Sequence, residues 1–477
     1  MVSSTTTTTT TQHILIYPFP TSGHIIPILD LTNQLLTRGH LLYVTVLVTP
    51  QNLPLLQPFL ATHPSSLQYF LLPPPQYPNP NRNKLIAQVQ NMRQLHYPLI
   101  LQWFHSHPSQ PVAIISDFFI GWTHQLASDL RIPRLVFSPS GVFALSIALS
   151  VWHDLPENTD PDNSNFTLTF PKFPNSPVYH WWQIPHLYRE GRKGDPDWEF
   201  FRENFVANLE SWGMVFNSFT ELERVYFDHL KKELGHDRVW AVGPVLPPSR
   251  EDNNAGPDPG PTNRGGSSSV PCDEVLTWLD ARSEYSVVYV CFGSRTVLTI
   301  KQMEVLTVGL ERSGVHFILS VIGPDAGGDH GVIPEDFEEC VKGRGLVIKG
   351  WAPQVPILRH PAVGGFMTHC GWNSVLEGLA AGVVMLTWPM SADQFTNAKL
   401  LVEQLGVAIQ GGEGTQIIPE SGELAQKFVE LVDGSKPERV RVRKLRDAAM
   451  DAVKEGGSSN KELAELIKRL SELQNAK

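Results

Sequence analysis

The residues best suited to chemistry lie in one run, His369-Cys370-Gly371-Trp372-Asn373-Ser374, which follows the apolar segment Val363 to Thr368 and precedes a segment of helical spacing, Val375 to Ala381. That order reads as strand, glycine-containing turn, helix. A helix starting near Trp372 or Asn373 aims unpaired backbone N–H groups and its positive dipole end past the carboxyl edge of the strand. Asn373 and Ser374 add side-chain donors there, and His369 ends the strand beside them, so the constellation suits a phosphate. The surrounding stretch, Trp351 to Gln394, sets Arg359 against Glu377 and Asp393, holds no lysine, and lacks the G-x-x-x-x-G-K-[ST] pattern of a Walker loop. A nucleoside diphosphate held without an obligatory metal therefore fits better than ATP with magnesium. Trp351 offers a flat face for a base, and Asp393-Gln394 offers a hydroxyl-recognising pair. Base, diphosphate and sugar fit along the stretch in that order.

Two further residues sit where an open parallel sheet exposes its ligand-binding edge. His24 follows the apolar run His13 to Phe19 and the turn Pro20 to Gly23, just before the helical spacing of Ile25 to Thr37. Asp117 lies near the end of the buried-strand run Val112 to Phe118, where a carboxylate is costly unless it finds a partner. Taken singly, these residues have ordinary readings: His24 and Asp117 as helix caps, Trp351 as packing, His369 as a core histidine, Glu377 and Asp393 as solvated helix positions. Together, at these spacings, coincidence is remote.

The elements that must position these groups alternate. Leu42 to Val48 is a second strand, so the first strand, helix and second strand form a right-handed crossover unit. Leu53 to Pro80 is rich in proline and leucine and is expected to be irregular apart from a strand near Leu67 to Leu72. A helix follows over Gly121 to Leu130, then strand and turn over Pro133 to Ser140. From Val151 to Phe201 the chain reads as aromatic and irregular, and such segments beside a site line apolar pockets or simply pack. Gly213 to Ser218 is a strand, and Thr220 opens a helix ending near Gly235. Pro247 to Pro271, crowded with Pro, Gly, Ser and Asn, reads as a linker. Beyond it the alternation restarts with strand Ser286 to Phe292, helix Ile300 to Ser313, and strands His316 to Val321 and Leu346 to Gly350. From Glu403 onward the chain is expected to be mostly helical.

The stretch Trp351 to Gln394 resembles, in length and at nearly every diagnostic position, the signature box of the plant secondary-product glycosyltransferases, the family 1 UDP-sugar transferases. The resemblance implies that Trp351 stacks on uracil while the Ala352 backbone and Gln354 hold the uridine. It further assigns Glu377 to the ribose hydroxyls, His369, Asn373 and Ser374 to the diphosphate, and Trp372, Asp393 and Gln394 to the sugar. The family uses the turn after the first strand of the second half, here Gly293-Ser294, at the diphosphate. The context Pro20 to Pro27 matches the family's P-x-x-G-H-x-x-P around a catalytic histidine, which implies His24 as base with Asp117 behind it. A glutamine at the last box position, Gln394, goes with glucose in this family.

The resemblance implies an α/β fold of two Rossmann-like domains facing across a cleft, the GT-B arrangement. The expected division is a disordered tail over 1–12, an acceptor-binding domain over 13–246, a linker over 247–271, a UDP-sugar-binding domain over 272–455, and a terminal helix over 456–477 packing back on the first domain. The implied reaction is inverting O-glycosylation of a flavonoid or other small phenol from UDP-glucose as co-substrate, with no metal and no other cofactor. UDP-rhamnose, UDP-xylose or UDP-galactose as donor, and a nucleotide-sugar-binding module without turnover, stay open as alternatives. A dinucleotide oxidoreductase is disfavoured by the lack of G-x-G-x-x-G.

Composition sets outer bounds. With 477 residues, 42% hydrophobic and 18% charged, the chain has core for about two domains. A net charge of −10 argues against nucleic acid and means that an anionic donor must be drawn by a local site. Cys272, Cys291, Cys340 and Cys370 show neither C-x-x-C nor metal spacing, as expected of reduced thiols in a cytoplasmic protein. The threonine run over Met1 to Gln12 lacks a signal peptide's apolar core, and no apolar run is long enough to span a membrane. A monomer is expected, with the sequon Asn165-Phe166-Thr167 unused.

Overall fold

The computed structural model of the chain describes residues 11–39, 41–76, 83–246, 268–321 and 331–473. All but the end of the expected threonine tail, the linker up to residue 267 and the last residues of the terminal segment lie outside these ranges.

Strands β1 (Gln12–Tyr17), β2 (Leu42–Val48), β3 (Leu67–Leu71), β4 (Ala113–Asp117) and β5 (Arg134–Ser138) form one parallel sheet with two later strands. Between β5 and those strands a short antiparallel pair intervenes, β6 (Thr167–Thr169) with β7 (Val178–His180). With β8 (Gly213–Phe216) and β9 (Val239–Ala241) the main sheet has the order β3-β2-β1-β4-β5-β8-β9. A second parallel sheet comprises β10 (Val287–Cys291), β11 (His316–Val321), β12 (Gly345–Lys349), β13 (Val363–Thr368), β14 (Val384–Thr387) and β15 (Ala408–Gln410), in the order β12-β11-β10-β13-β14-β15. Counted from its own first strand, the second sheet runs 3-2-1-4-5-6, the doubly wound Rossmann order, and the first runs the same way with a seventh strand added at the end. The strands form because their apolar runs are covered on both faces: β1 from His13 onward, β4, β5, β10 and β13 are buried at every position.

In each sheet the chain reverses winding direction between its first and fourth strands, β1 beside β4 and β10 beside β13. The carboxyl edges at those two points are where ligands bind in such sheets. His24 follows β1 and Asp117 ends β4; Gly293 follows β10 and His369 follows β13. The chemistry read from sequence thus falls on both switch points.

The terminal helix Ser458–Glu472 returns to the first sheet. Its Leu463, Leu466 and Leu470 are buried in one cluster with Ile14, Ile16, Val44 and Trp240, each leucine contributing ~1.5–3 kcal/mol. Ser459 Oγ donates to the Gly243 carbonyl at 2.5 Å. Among the described residues no helix is long and apolar enough to cross a membrane.

Two expectations need correction, and two elements were not anticipated. Leu53–Thr62 is helical despite Pro54 and Pro58, because Pro54 occupies the first turn, where no N–H partner is lost. Lys84–Ser106 is a long helix that no expectation covered; Asn83 caps it by accepting from Leu85 N and Ile86 N, and its buried Ile86, Val89, Met92, His96, Ile100 and Phe104 follow helical spacing. The segment expected to be irregular over Val151 to Phe201 contains the end of helix Val142–Asp154, the β6–β7 hairpin and the start of helix Pro196–Val206, the last capped by Asp195. Near the C-terminus the chain departs from helix to add β15 as the last strand of the second sheet.

Helix Val142–Asp154 begins at the cleft, and its start is held by a buried carboxylate. Glu223, only 1% exposed and outside helical geometry at φ −135° and ψ 27°, accepts from Val142 N at 3.1 Å and Phe143 N at 2.9 Å. Ser218 Oγ donates to the same group at 2.5 Å. Burial outweighs these hydrogen bonds and pushes the Glu223 carboxyl up to about 7. Because the folded chain binds this proton more tightly than the unfolded one, stability is greatest below the ordinary carboxylate range and falls as pH rises through about 7. We predict that Glu223→Gln removes a pH-dependent component of up to ~3 kcal/mol between pH ~4.5 and ~7. Urea unfolding at several pH values checks this; parallel wild-type and variant curves would refute it.

Candidate active site

The carboxyl edges of the two sheets face one another across a cavity of ≈ 1710 Å³. Every residue that the sequence assigns to the donor or to the base lines it except Asp117, which lies behind His24.

On the first sheet, His24 Nδ1 stands 2.7 Å from Asp117 Oδ2, with the carboxylate side chain 0% and the imidazole 17% exposed. A carboxylate only accepts, so Nδ1 carries the proton and the lone pair lies on Nε2. The second carboxylate oxygen accepts from Phe119 N at 2.8 Å. Phe119 stacks on the imidazole at 4.8 Å and 22°, while Phe19 and Phe118 flank it, each at 5.5 Å. The turn carrying these rings is pinned from beneath: Asn204 Nδ2 donates to Phe119 O and Asn208 Nδ2 to Phe118 O, both at 2.9 Å. The imidazole is thus fixed by one carboxylate and three rings.

On the second sheet, Gly293 takes φ +77°, and a Cβ there would come within 2.6 Å of the His369 ring; a Cβ on Gly371 would come within 2.5 Å. The two glycines let backbone close over the imidazole. His369 Nδ1 is buried with no hydrogen-bond partner among the described residues, and burial lowers its pKa to about 4, so the ring is neutral near pH 7. Beside it helix Trp372–Ala381 presents its N-terminus to the cavity. Gln354 ties the adjacent wall together, its amide nitrogen donating to Ser374 Oγ at 3.0 Å and Glu377 Oε2 at 2.7 Å while its oxygen accepts from Tyr289 OH at 3.2 Å. Trp351, Ala352 and Ser294 complete this wall.

Three of the sequence-selected residues also reach across to the first sheet. Trp372 Nε1 donates to the Asn217 carbonyl at 2.6 Å, Asn373 Nδ2 to the Gly23 carbonyl at 2.9 Å, and Asp393 Oδ2 accepts from Ser140 Oγ at 2.7 Å. Burial raises the Asp393 pKa, and its hydrogen bonds from Ser140 and Asn397 counter that. Gln394 Oε1 accepts from Met390 N and Ser391 N at 2.8 and 3.0 Å, leaving its amide donor for the cavity. Ser138 is spent locally, donating to the Ser140 carbonyl at 2.8 Å.

Sequence reasoning missed the rest of the first-half wall. Phe118, Trp152, Phe201 and Phe205 line an apolar chamber beyond His24, and Trp152 is braced edge-on by Tyr188 at 5.3 Å and Phe201 at 5.2 Å. Their aromatic character was visible, but helix Pro196–Val206, which aims Phe201 and Phe205 inward, was not read. Of the aromatic run 180–182, Trp182 instead packs on Phe395 at 5.5 Å. Among the described residues no cluster of three His, Cys, Asp or Glu is arranged to hold a metal.

Residues 267–415 match the profile of the family described as UDP-glucoronosyl and UDP-glucosyl transferase. UDP-glycosyltransferase 89B2 of Stevia rebaudiana is 51% identical, with 96% of this chain and 98% of that protein covered. Flavonol 3-O-glucosyltransferase UGT89B1 of Arabidopsis thaliana is 48% identical over 97% of this chain and 96% of its own. Among solved structures, that of Arabidopsis thaliana UGT89C1 complexed with UDP-L-rhamnose superposes with a TM-score of 0.77 at 36% identity, covering 97% of this chain and 100% of the other. These comparisons agree with the two-domain cleft described above.

We predict that Trp372→Phe, which keeps the ring but strands the buried Asn217 carbonyl, costs ~1–3 kcal/mol of stability in denaturant unfolding. A cost under ~0.5 kcal/mol would show that this contact contributes little to holding the halves together.

Proposed function

The chain belongs to the plant UDP-glycosyltransferases, and from that premise we propose that it transfers glucose from UDP-glucose, with inversion, to a hydroxyl of a flavonoid or another small phenol. The observation that carries the reading is the buried His24–Asp117 pair at 2.7 Å, whose free Nε2 faces the same cavity as the helix N-terminus of the opposite sheet.

In this reading uracil stacks on Trp351, with the Ala352 backbone and Gln354 at the uridine and Glu377 at the ribose. The diphosphate lies against Ser294, His369, Asn373, Ser374 and the helix start. A neutral His369 serves there as a hydrogen-bond donor, not as a cation. Trp372, Asp393 and Gln394 meet the sugar. The acceptor enters the chamber of Phe118, Trp152, Phe201 and Phe205 with its hydroxyl toward His24 Nε2. His24 takes the hydroxyl proton, Asp117 holds the tautomer and offsets the imidazolium charge, and the oxygen attacks the anomeric carbon from the face opposite the departing UDP. The C–O bond to the phosphate breaks as the new one forms, and the configuration inverts.

Magnitudes favour a phenol. With a pKa near ~10 it needs far less help from a histidine base than an aliphatic alcohol does. General-base catalysis supplies roughly 10²- to 10⁴-fold, and fixed donors at the leaving diphosphate and the positioning of both substrates add the rest. An aromatic chamber also fits a flat polyphenol. Glucose is supported by Gln394 and by the relative named a flavonol 3-O-glucosyltransferase at 48% identity. Rhamnose is the second reading, favoured by the solved relative complexed with UDP-L-rhamnose at 36% identity. No metal takes part in this proposal, since the diphosphate is met by hydrogen bonds and a helix dipole.

UDP release should be measured with UDP-glucose, UDP-rhamnose, UDP-xylose and UDP-galactose, with a flavonol and a small phenol as acceptors. Glucose-selective turnover, reduced ~10²- to 10⁴-fold in His24→Ala, is the expected result. Turnover surviving in the variant would remove His24 as base, and preference for another sugar would replace the donor. The same assay in EDTA is expected to run at an unchanged rate; a loss restored by magnesium would overturn the metal-free reading.

A further inference from the structure

A positive charge lies buried directly behind the dyad. Arg134, at the start of β5 and 2% exposed, runs its side chain beneath the turn that carries Asp117. Its Nε donates to Ser116 Oγ at 2.8 Å and Thr123 Oγ1 at 2.7 Å, its Nη1 to Ser211 Oγ at 2.7 Å, and its Nη2 to Asn208 Oδ1 at 2.9 Å and to the Asp117 carbonyl at 3.4 Å. All of these acceptors are uncharged. A buried guanidinium with only neutral partners is strongly disfavoured unless an opposite charge lies close, and the carboxylate whose field it feels is Asp117, itself fully buried. Burial lowers the Arg134 pKa to about 9, and Asp117 acts in the opposite sense.

We propose that Arg134 is a positioning residue for the His24–Asp117 pair: it supplies the countercharge behind the fully buried Asp117, and it fixes that residue's backbone through the Asp117 carbonyl. The inference rests on the dyad reading given above. It makes the base a three-member line of charge, with His24 at the cavity, Asp117 behind it and Arg134 at the back. Other titratable groups bear on this line. Asp393 faces His24 from the second sheet, and His124, paired with Glu210 at 3.4 Å, faces Arg134 from helix Thr123–Leu130.

The sign of the effect follows from charge. Removing a cation from behind the pair eases its protonation, and a protonated His24 cannot act as base, so the acid limb of kcat/KM moves to higher pH. In Arg134→Met and Arg134→Gln the limb is expected to rise by about one pH unit, while Arg134→Lys, which keeps the charge but loses the fork, holds the limb in place and lowers kcat. A packing role alone lowers the rate at every pH and leaves the limb where it was; that result in a folded neutral variant overturns the proposal. A second measurement needs no activity. Thermal melts of Arg134→Gln, Asp117→Asn and the double variant should be non-additive, the arginine change costing less once the carboxylate is gone. A double variant that folds where the Arg134→Gln single does not supports the countercharge, and additive losses overturn it. His24→Ala, assayed in parallel, separates the two ideas: activity surviving there sinks the dyad reading, whereas an unmoved limb or additive melts sink only Arg134.

Discussion

Hydrogen bonds across the cleft, three of them made by site residues and others by Gln183 with Glu413 and Tyr226 with Gln404, set the distance on which the chemistry depends. A base and a leaving-group site built on separate sheets are useful only if they are held about one sugar apart. Trp372 to Asn217, Asn373 to Gly23 and Ser140 to Asp393 do this at 2.6, 2.9 and 2.7 Å. Each lies at a point of the cavity wall: Gly23 precedes His24, and Trp372 and Asn373 open the helix whose N-terminus faces the cavity. Helix Val142–Asp154, anchored by Glu223, starts just after Ser140 and so fixes the hydroxyl that meets Asp393. The terminal helix Ser458–Glu472 closes the arrangement from outside by burying its leucines on the first sheet.

The two halves handle charge in opposite ways. The first sheet buries ionisable groups among hydrogen-bonding partners, Asp117 and Arg134 among them, where leaving one charge without its partner is far more costly than burying both. The line they form with His24 places a proton acceptor at a cavity wall that is otherwise aromatic. The second sheet sets neutral donors at its switch point, an imidazole kept uncharged by burial, an amide, a hydroxyl and a helix N-terminus, while Arg295, Arg359 and Arg446 line the same cavity further along that half. A net charge of −10 makes these local donors the means by which an anionic donor substrate is met.

Much of this was legible in the sequence because burial leaves a strong signal in parallel strands. The runs before His24, around Asp117 and before His369 are apolar on both faces, so strand, edge and turn could be placed to within a residue or two. The signature box carried the second half's wall of the cavity with it. What could not be read was whatever depends on helices interrupted by proline or framed by aromatic residues. Leu53–Thr62 was hidden by Pro54 and Pro58, and Lys84–Ser106 by Pro98 within an otherwise regular apolar stripe. Missing helix Pro196–Val206 meant missing the chamber formed by Phe201 and Phe205. Arg134 carried the same signal as Asp117, a charge inside an apolar strand. Applying one rule to both would have paired them before any geometry was known.

The choice of neutral donors on the second sheet has a kinetic consequence for the proposed reaction. A lysine or arginine clamp would bind substrate and product diphosphate alike, and uniform binding lowers KM without lowering the barrier between bound substrate and transition state. Fixed N–H and O–H donors gain most as charge develops on the departing phosphate, because their orientation is set beforehand by Gln354, Gly293 and Gly371. In the proposed reaction they also let UDP go once the sugar has moved.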